Sequence, residues 1–123
     1  MAAATIVIDG KVGDVFPLFS NVAKIADVHP SVKSVDVVSK EGPGKVTGVG
    51  AARRCNFYDG GSIVETVTAC TANSKVHLVG SEYAMPLSSL ELEFTVLPVG
   101  ADKTQATWYV DILCFACESI PQP

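Results

Sequence analysis

Positive charge, histidine and long apolar runs are all scarce in this chain of 123 residues. Nine basic residues stand against thirteen acidic ones, and apart from the adjacent Arg53 and Arg54 they are scattered. Phosphate backbones are bound by clustered positive charge, so nucleic acid is not an expected partner. No run approaches the ~18 consecutive apolar residues of a membrane span, and no low-complexity tract, interdomain linker or long-period repeat is present. The start, MAAATIVIDG, lacks the positive flank of a signal peptide and runs directly into an alternating pattern, which gives the expectation of a cytoplasmic protein. Cys55, Cys70, Cys114 and Cys117 are irregularly spaced, and without signs of secretion reduced thiols are expected.

Reactive motifs are equally scarce. His29 and His77 are the only histidines and have no metal-ligand spacing; capping or exposure is expected for the first, a solvent-facing strand position for the second. A nucleophile elbow needs Gly-x-Ser-x-Gly, which DGGSIVE and LVGSEYA both fail. GPGKVTGVG has the wrong spacing for a phosphate loop, and the pair Cys114 and Cys117 matches a redox motif in two residues only, so a flexible loop and apolar tail packing are expected. No metal, no cofactor and no catalytic residue is assigned.

What is present is 48% hydrophobic composition, enough for one domain over residues 1–123 with a core of its own. TIVIDGKV alternates and gives a first strand at about Thr5 to Ile8. Val15, Phe16, Leu18, Phe19, Val22, Ile25 and Val28 then follow helical spacing, with Asp14 as the expected N-cap, Pro17 tolerated near the start and Pro30 as the stop. Ser20 and Asn21 divide this segment into two short helices. From Val32 the period changes to two, and six strand-like runs follow in meander order, separated by Gly/Pro or turn-rich segments. In SLELEFTV, Leu90, Leu92, Phe94 and Val96 share one face; in TQATWYVDI, Ala106, Trp108, Val110 and Ile112 do the same. The fold class is α+β: an antiparallel sheet of about seven strands, one face apolar, with two short helices inserted after the first strand.

The order of elements, together with VGDVFPLFSNVAKIADVHPSV, GVGAARR followed by DGGSIVETV, YAMPLSSLELEFTV and TWYVD, resembles the SRPBCC or START-like helix-grip superfamily. That superfamily includes polyketide cyclases, START-type lipid carriers and birch-pollen-allergen-like proteins. The resemblance implies a curved sheet gripping a long C-terminal helix, an apolar cavity between them, and a Gly-rich loop bordering the cavity mouth. Only YVDILCFACESIPQP follows Trp108, with Pro121 and Pro123 in it, so most of that C-terminal helix is expected to be absent. A homodimer covering the exposed sheet is one expected replacement.

The expected function is binding of a small hydrophobic or amphipathic ligand, with a polyketide cyclase or dehydratase activity and a protein-protein assembly module as alternatives. The expected ligand-binding residues are Arg54, Tyr58, Glu65, Tyr83 and Trp108. With Asp59-Gly60 as a two-residue turn, Arg54 faces Glu65 across the hairpin, either as an ordinary ion pair or as a polar anchor on the cavity wall. Trp108 is the strongest aromatic candidate because it shares a face with Ala106, Val110 and Ile112.

Overall fold

The computed structural model describes residues 2–82 and 87–114. Seven antiparallel strands form one curled sheet: β1 (Ala2–Asp9), β2 (Val32–Val37), β3 (Ala52–Phe57), β4 (Ser62–Thr71), β5 (Lys75–Ser81), β6 (Leu87–Gly100) and β7 (Lys103–Cys114). Their spatial order is β1-β7-β6-β5-β4-β3-β2, a meander from β2 to β7 with β1 returning beside β7. The Lys103 ammonium holds the outer end of β1 to β7 through Asp9 at 2.7 Å, and that bond and charge keep the Asp9 carboxyl below its usual value. The C-terminal helix that the family resemblance implies, and its expected absence, fall on residues 115–123, outside the described residues.

Between β1 and β2 lie α1 (Val12–Val15), α2 (Pro17–Ser20) and a 3-10 helix (Val22–Asp27). Asp14 does not cap the first of these: Lys11 holds the N-cap position without a side-chain bond, and Asp14 stands within the first turn. Pro17 occupies the opening of α2, where its missing N–H costs nothing, and Asn21 caps the 3-10 helix by accepting from Ala23 N at 2.9 Å.

These short helices lie across the inner face of the sheet. Val15, Phe16, Phe19, Val22 and Ile25 are buried against inward side chains of β3 to β7, and the Phe19 ring stacks on Phe94 at a centroid distance of 5.4 Å. Strand alternation selects the inner set: Leu90, Leu92, Phe94 and Val96 of β6 join the core, as do Ala106, Trp108 and Val110 of β7. Several outward positions are polar, as in the Thr5–Thr107 hydroxyl pair at 3.0 Å and the bond between His77 Nδ1 and Thr68 Oγ1 at 2.7 Å, while Val7 and Leu97 are exposed apolar residues.

The Gly-rich loop before β3 is held down by Ser39, whose buried hydroxyl donates to Lys45 O at 2.7 Å and accepts from Ala52 N at 2.8 Å. Lys40, Glu41 and Gly50 of this loop border a groove on the outer face with Arg54 and Glu82. None of this loop's residues is among those lining the inner cavity described below.

Candidate functional site

The floor of the site is set by the β3–β4 hairpin. Its loop has three residues, Tyr58 to Gly60, rather than two: Phe57 N donates to Gly61 O, Gly60 N to Phe57 O, and the left-handed Gly60 (φ +91°) completes the turn. The Asp59 carboxylate accepts from Gly61 N at 2.8 Å and fixes the corner. One more residue in the loop shifts the register by one, so Arg53, not Arg54, faces Glu65. Because side chains alternate, that shift also turns Arg53, Cys55 and Phe57 inward and Arg54 and Asn56 outward.

Arg53 and Glu65 form a buried ion pair, Arg53 Nε donating to Glu65 Oε1 at 2.8 Å, with Arg53 0% and Glu65 6% exposed. The same carboxylate oxygen accepts from the Cys55 thiol at 3.4 Å. Burial, followed by the neighbouring Glu65 charge, pushes the thiol up to about 12, so Cys55 is a neutral donor at ordinary pH. Arg53 Nη1 is buried and has no acceptor among the described residues.

Above this cluster is a cavity of about 230 Å³, walled by Ile25 and Val32 on the helix side and by Phe57, Ile63, Leu90 and Val110 on the sheet. A contiguous recess of about 80 Å³, sharing Ile25, His29, Leu92, Phe94 and Val110, extends towards Phe19 and Trp108. His29 is exposed and stands where both spaces meet solvent. Its Nδ1 accepts from Ser31 N at 3.2 Å, which places the ring proton of the neutral form on Nε2. The lining is apolar apart from the cluster at its floor and His29 at its rim.

The expected binding residues therefore separate. Glu65 lies on the cavity floor and Trp108 lines the recess, half-buried. Arg54 faces the opposite side of the sheet, where it pairs with Glu82 at 3.0 Å and reaches Ser62 at 3.4 Å; its expected pairing with Glu65 is corrected by the register. Tyr58 is at the hairpin tip, 71% exposed, because the three-residue loop carries it beyond the last strand pair. Tyr83 and Cys117 lie outside the described residues, as does the side chain of Cys114. Arg53, Cys55, Phe57 and His29 are the cavity residues that sequence reasoning passed over. Strand parity carries the signal for three of them, since Cys55 and Phe57 are the larger apolar members of their strand and Arg53 shares their side.

Among the described residues no group of three or more His, Cys, Asp or Glu side chains is placed to hold a metal ion, and no helix is long and apolar enough to cross a membrane.

Residues 2–119 match the family described as polyketide cyclase / dehydrase and lipid transport. A comparison with curated proteins finds no match. Among solved structures the chain is similar to a START superfamily protein from Mycobacterium smegmatis, with TM-score 0.75 and 14% identity, over 99% of this chain and 79% of that one. It is also similar to ginseng major latex-like protein 151 from Panax ginseng, with TM-score 0.74 and 18% identity, over 99% and 83% of the two chains. Similarity to the Zhui aromatase/cyclase from a Streptomyces species gives TM-score 0.75 and 15% identity, over 92% and 67%. At these identities the likeness is one of fold.

Proposed function

The chain belongs to the polyketide cyclase / dehydrase and lipid transport family, and from that premise we propose that it binds one small, largely apolar molecule between the sheet and the short helices. The observation that carries this reading is the apolar recess of about 230 Å³, partly open to solvent, whose floor is a buried ion pair. Burying Arg53 and Glu65 costs desolvation that packed apolar residues of similar volume would avoid. A polar pair at the bottom of an otherwise oily pocket gives a ligand its orientation, while the apolar wall supplies most of the affinity. Trp108, half-buried beside the recess, is proposed as a ligand contact along with Glu65.

Trp108 is the only tryptophan in the chain, so its emission reports on the recess directly. Titration with apolar ketones, sterols and flavonoids is expected to change that emission saturably for at least one class. Emission unchanged by all of them contradicts the reading.

A catalytic reading of cyclase or dehydratase type is favoured by one observation: Glu65, a carboxylate able to move a proton, lies inside the cavity. It is separated from the first by Glu65→Gln, which on the catalytic reading abolishes turnover of a poly-ketone substrate while leaving its binding in place.

A further inference from the structure

We infer that two copies of this chain associate edge to edge, β1 pairing antiparallel with β1 of a second copy about a two-fold axis at Thr5, rather than one copy roofing the sheet of the other. β1 and β2 are the two ends of the strand order, and they are built differently. β2 carries the charged Lys33 and Asp36, both exposed, and its pairing with β3 slips at a bulge between Val32 and Ser34. Charges and bulges of this kind keep an edge from meeting another strand. β1 has neither. From Ala2 to Ile8 it holds no charge and no proline, its register with β7 runs without a shift, and Ala3 to Val7 are exposed in succession.

The direction of the outer peptide groups follows from one bond. Gly10 N donates to Asp102 O at 2.6 Å, in the same register that pairs Asp9 with Lys103. Hydrogen-bonded positions alternate along an antiparallel pair, so Ala4, Ile6 and Ile8 direct their N–H and C=O groups towards β7. Those of Ala3, Thr5 and Val7 point to the open side, where no strand lies among the described residues. A strand laid there exchanges backbone bonds at these positions.

Size and charge along β1 select a second copy as that strand. With Thr5 on the axis, Ala3 falls opposite Val7 and Ala4 opposite Ile6 of the other copy, so a small side chain meets a large one on each face of the sheet. Ile6 and Val7, 45% and 57% exposed in the single chain, are covered by this pairing. An axis at Ile6 instead sets the two isoleucines against each other. Asp9 is the one charge of β1; it lies beyond the paired stretch and is neutralised by Lys103 at 2.7 Å, so no like charges meet across the axis. The contact is narrower than the roughly 800 Å² per partner of a standard interface, which makes the dimer reversible. Because the pairing consumes β1 and the β2 edge is guarded, association stops at two copies.

Sedimentation equilibrium of the unaltered protein between about 10 μM and about 1 mM is expected to show a monomer–dimer equilibrium with half-association inside that range. Amide hydrogen exchange at the two limits locates the contact. Ala3, Thr5 and Val7 are expected to exchange several-fold more slowly at the higher concentration, and the β2 amides at one rate in both. A monomer throughout, assembly beyond two copies, or a dimer in which those three amides are unaffected overturns the inference. Full protection of the three at the lower concentration means that the chain covers its own edge, and overturns it as well. Thr5→Lys sets two like charges face to face on the axis and is expected to weaken association at least about tenfold, whereas Val7→Lys places its charge opposite Ala3 and weakens it less. Equal losses in the two variants contradict the axis at Thr5.

Discussion

Cys55 is 2% exposed and shares a carboxylate oxygen with Arg53, and this setting gives it a measurable signature. Its thiol pKa rises from 9.0 to about 12 on folding. A raised pKa means that the folded protein holds the proton more tightly, so the stability it contributes is complete below 9.0 and is lost as pH climbs through about 12. Cys55→Val has no thiol to titrate there. Urea unfolding followed from about pH 8 to about pH 11 is expected to show the native protein losing roughly 2 kcal/mol more than this variant, since each tenfold difference in proton affinity is worth about 1.4 kcal/mol. Parallel profiles contradict the placement of the thiol. The adjacent arginines show how much one residue of register decides: Arg53 has no solvent exposure, while Arg54 forms a surface ion pair with Glu82 worth little to stability.

At the scale of elements, the β4–β5 and β5–β6 pairings place Gly80 opposite Glu65 and beneath Leu90. A Cβ there would lie 2.8 Å from Leu90 Cδ2, 3.0 Å from Leu90 Cβ and 3.1 Å from Ile63 Cδ1, all part of the cavity wall or its support. Gly80→Ala is expected to lower stability by about 1–3 kcal/mol through overpacking. Gly13→Ala, in α1 with nothing within 4 Å of the new Cβ, is expected to be neutral or to stabilise by up to about 1 kcal/mol. Thermal denaturation of the two variants checks the contrast, and equal midpoints contradict it. Strands were legible from their alternation because burial of one face enforces it: the inward sets Leu90 to Val96 and Ala106 to Val110 follow directly. The hairpin register was not legible from Asp59-Gly60 alone. A two-residue and a three-residue loop use the same residues, and what separates them is the Asp59 bond to Gly61 N and the inward preference of Cys55 and Phe57. Helix capping was missed for a related reason, since Asp14 and Asn21 are equally good caps by type and only the chain path chooses Asn21.

Among the described residues, a sheet with one apolar face and three short helical turns laid across it leaves a hollow beside the packed core. The family's curved-sheet architecture was legible because it rests on element order and period, which local physics fixes. The polar floor was legible only in part: Glu65 was found, whereas its partner depended on register and the role of His29 on a turn that brings the end of the 3-10 helix to the cavity rim. The central claim is that the hollow, not the outer face, receives the ligand. Methyl-labelled NMR during titration with acetylnaphthalene tests it directly. The expected result is saturable shifts at Ile25, Ile63, Leu92 and Val110, with Val7, Leu97 and Val99 on or near the exposed surface unmoved; shifts confined to Val7, Leu97 and Val99, or no shifts at all, contradict it.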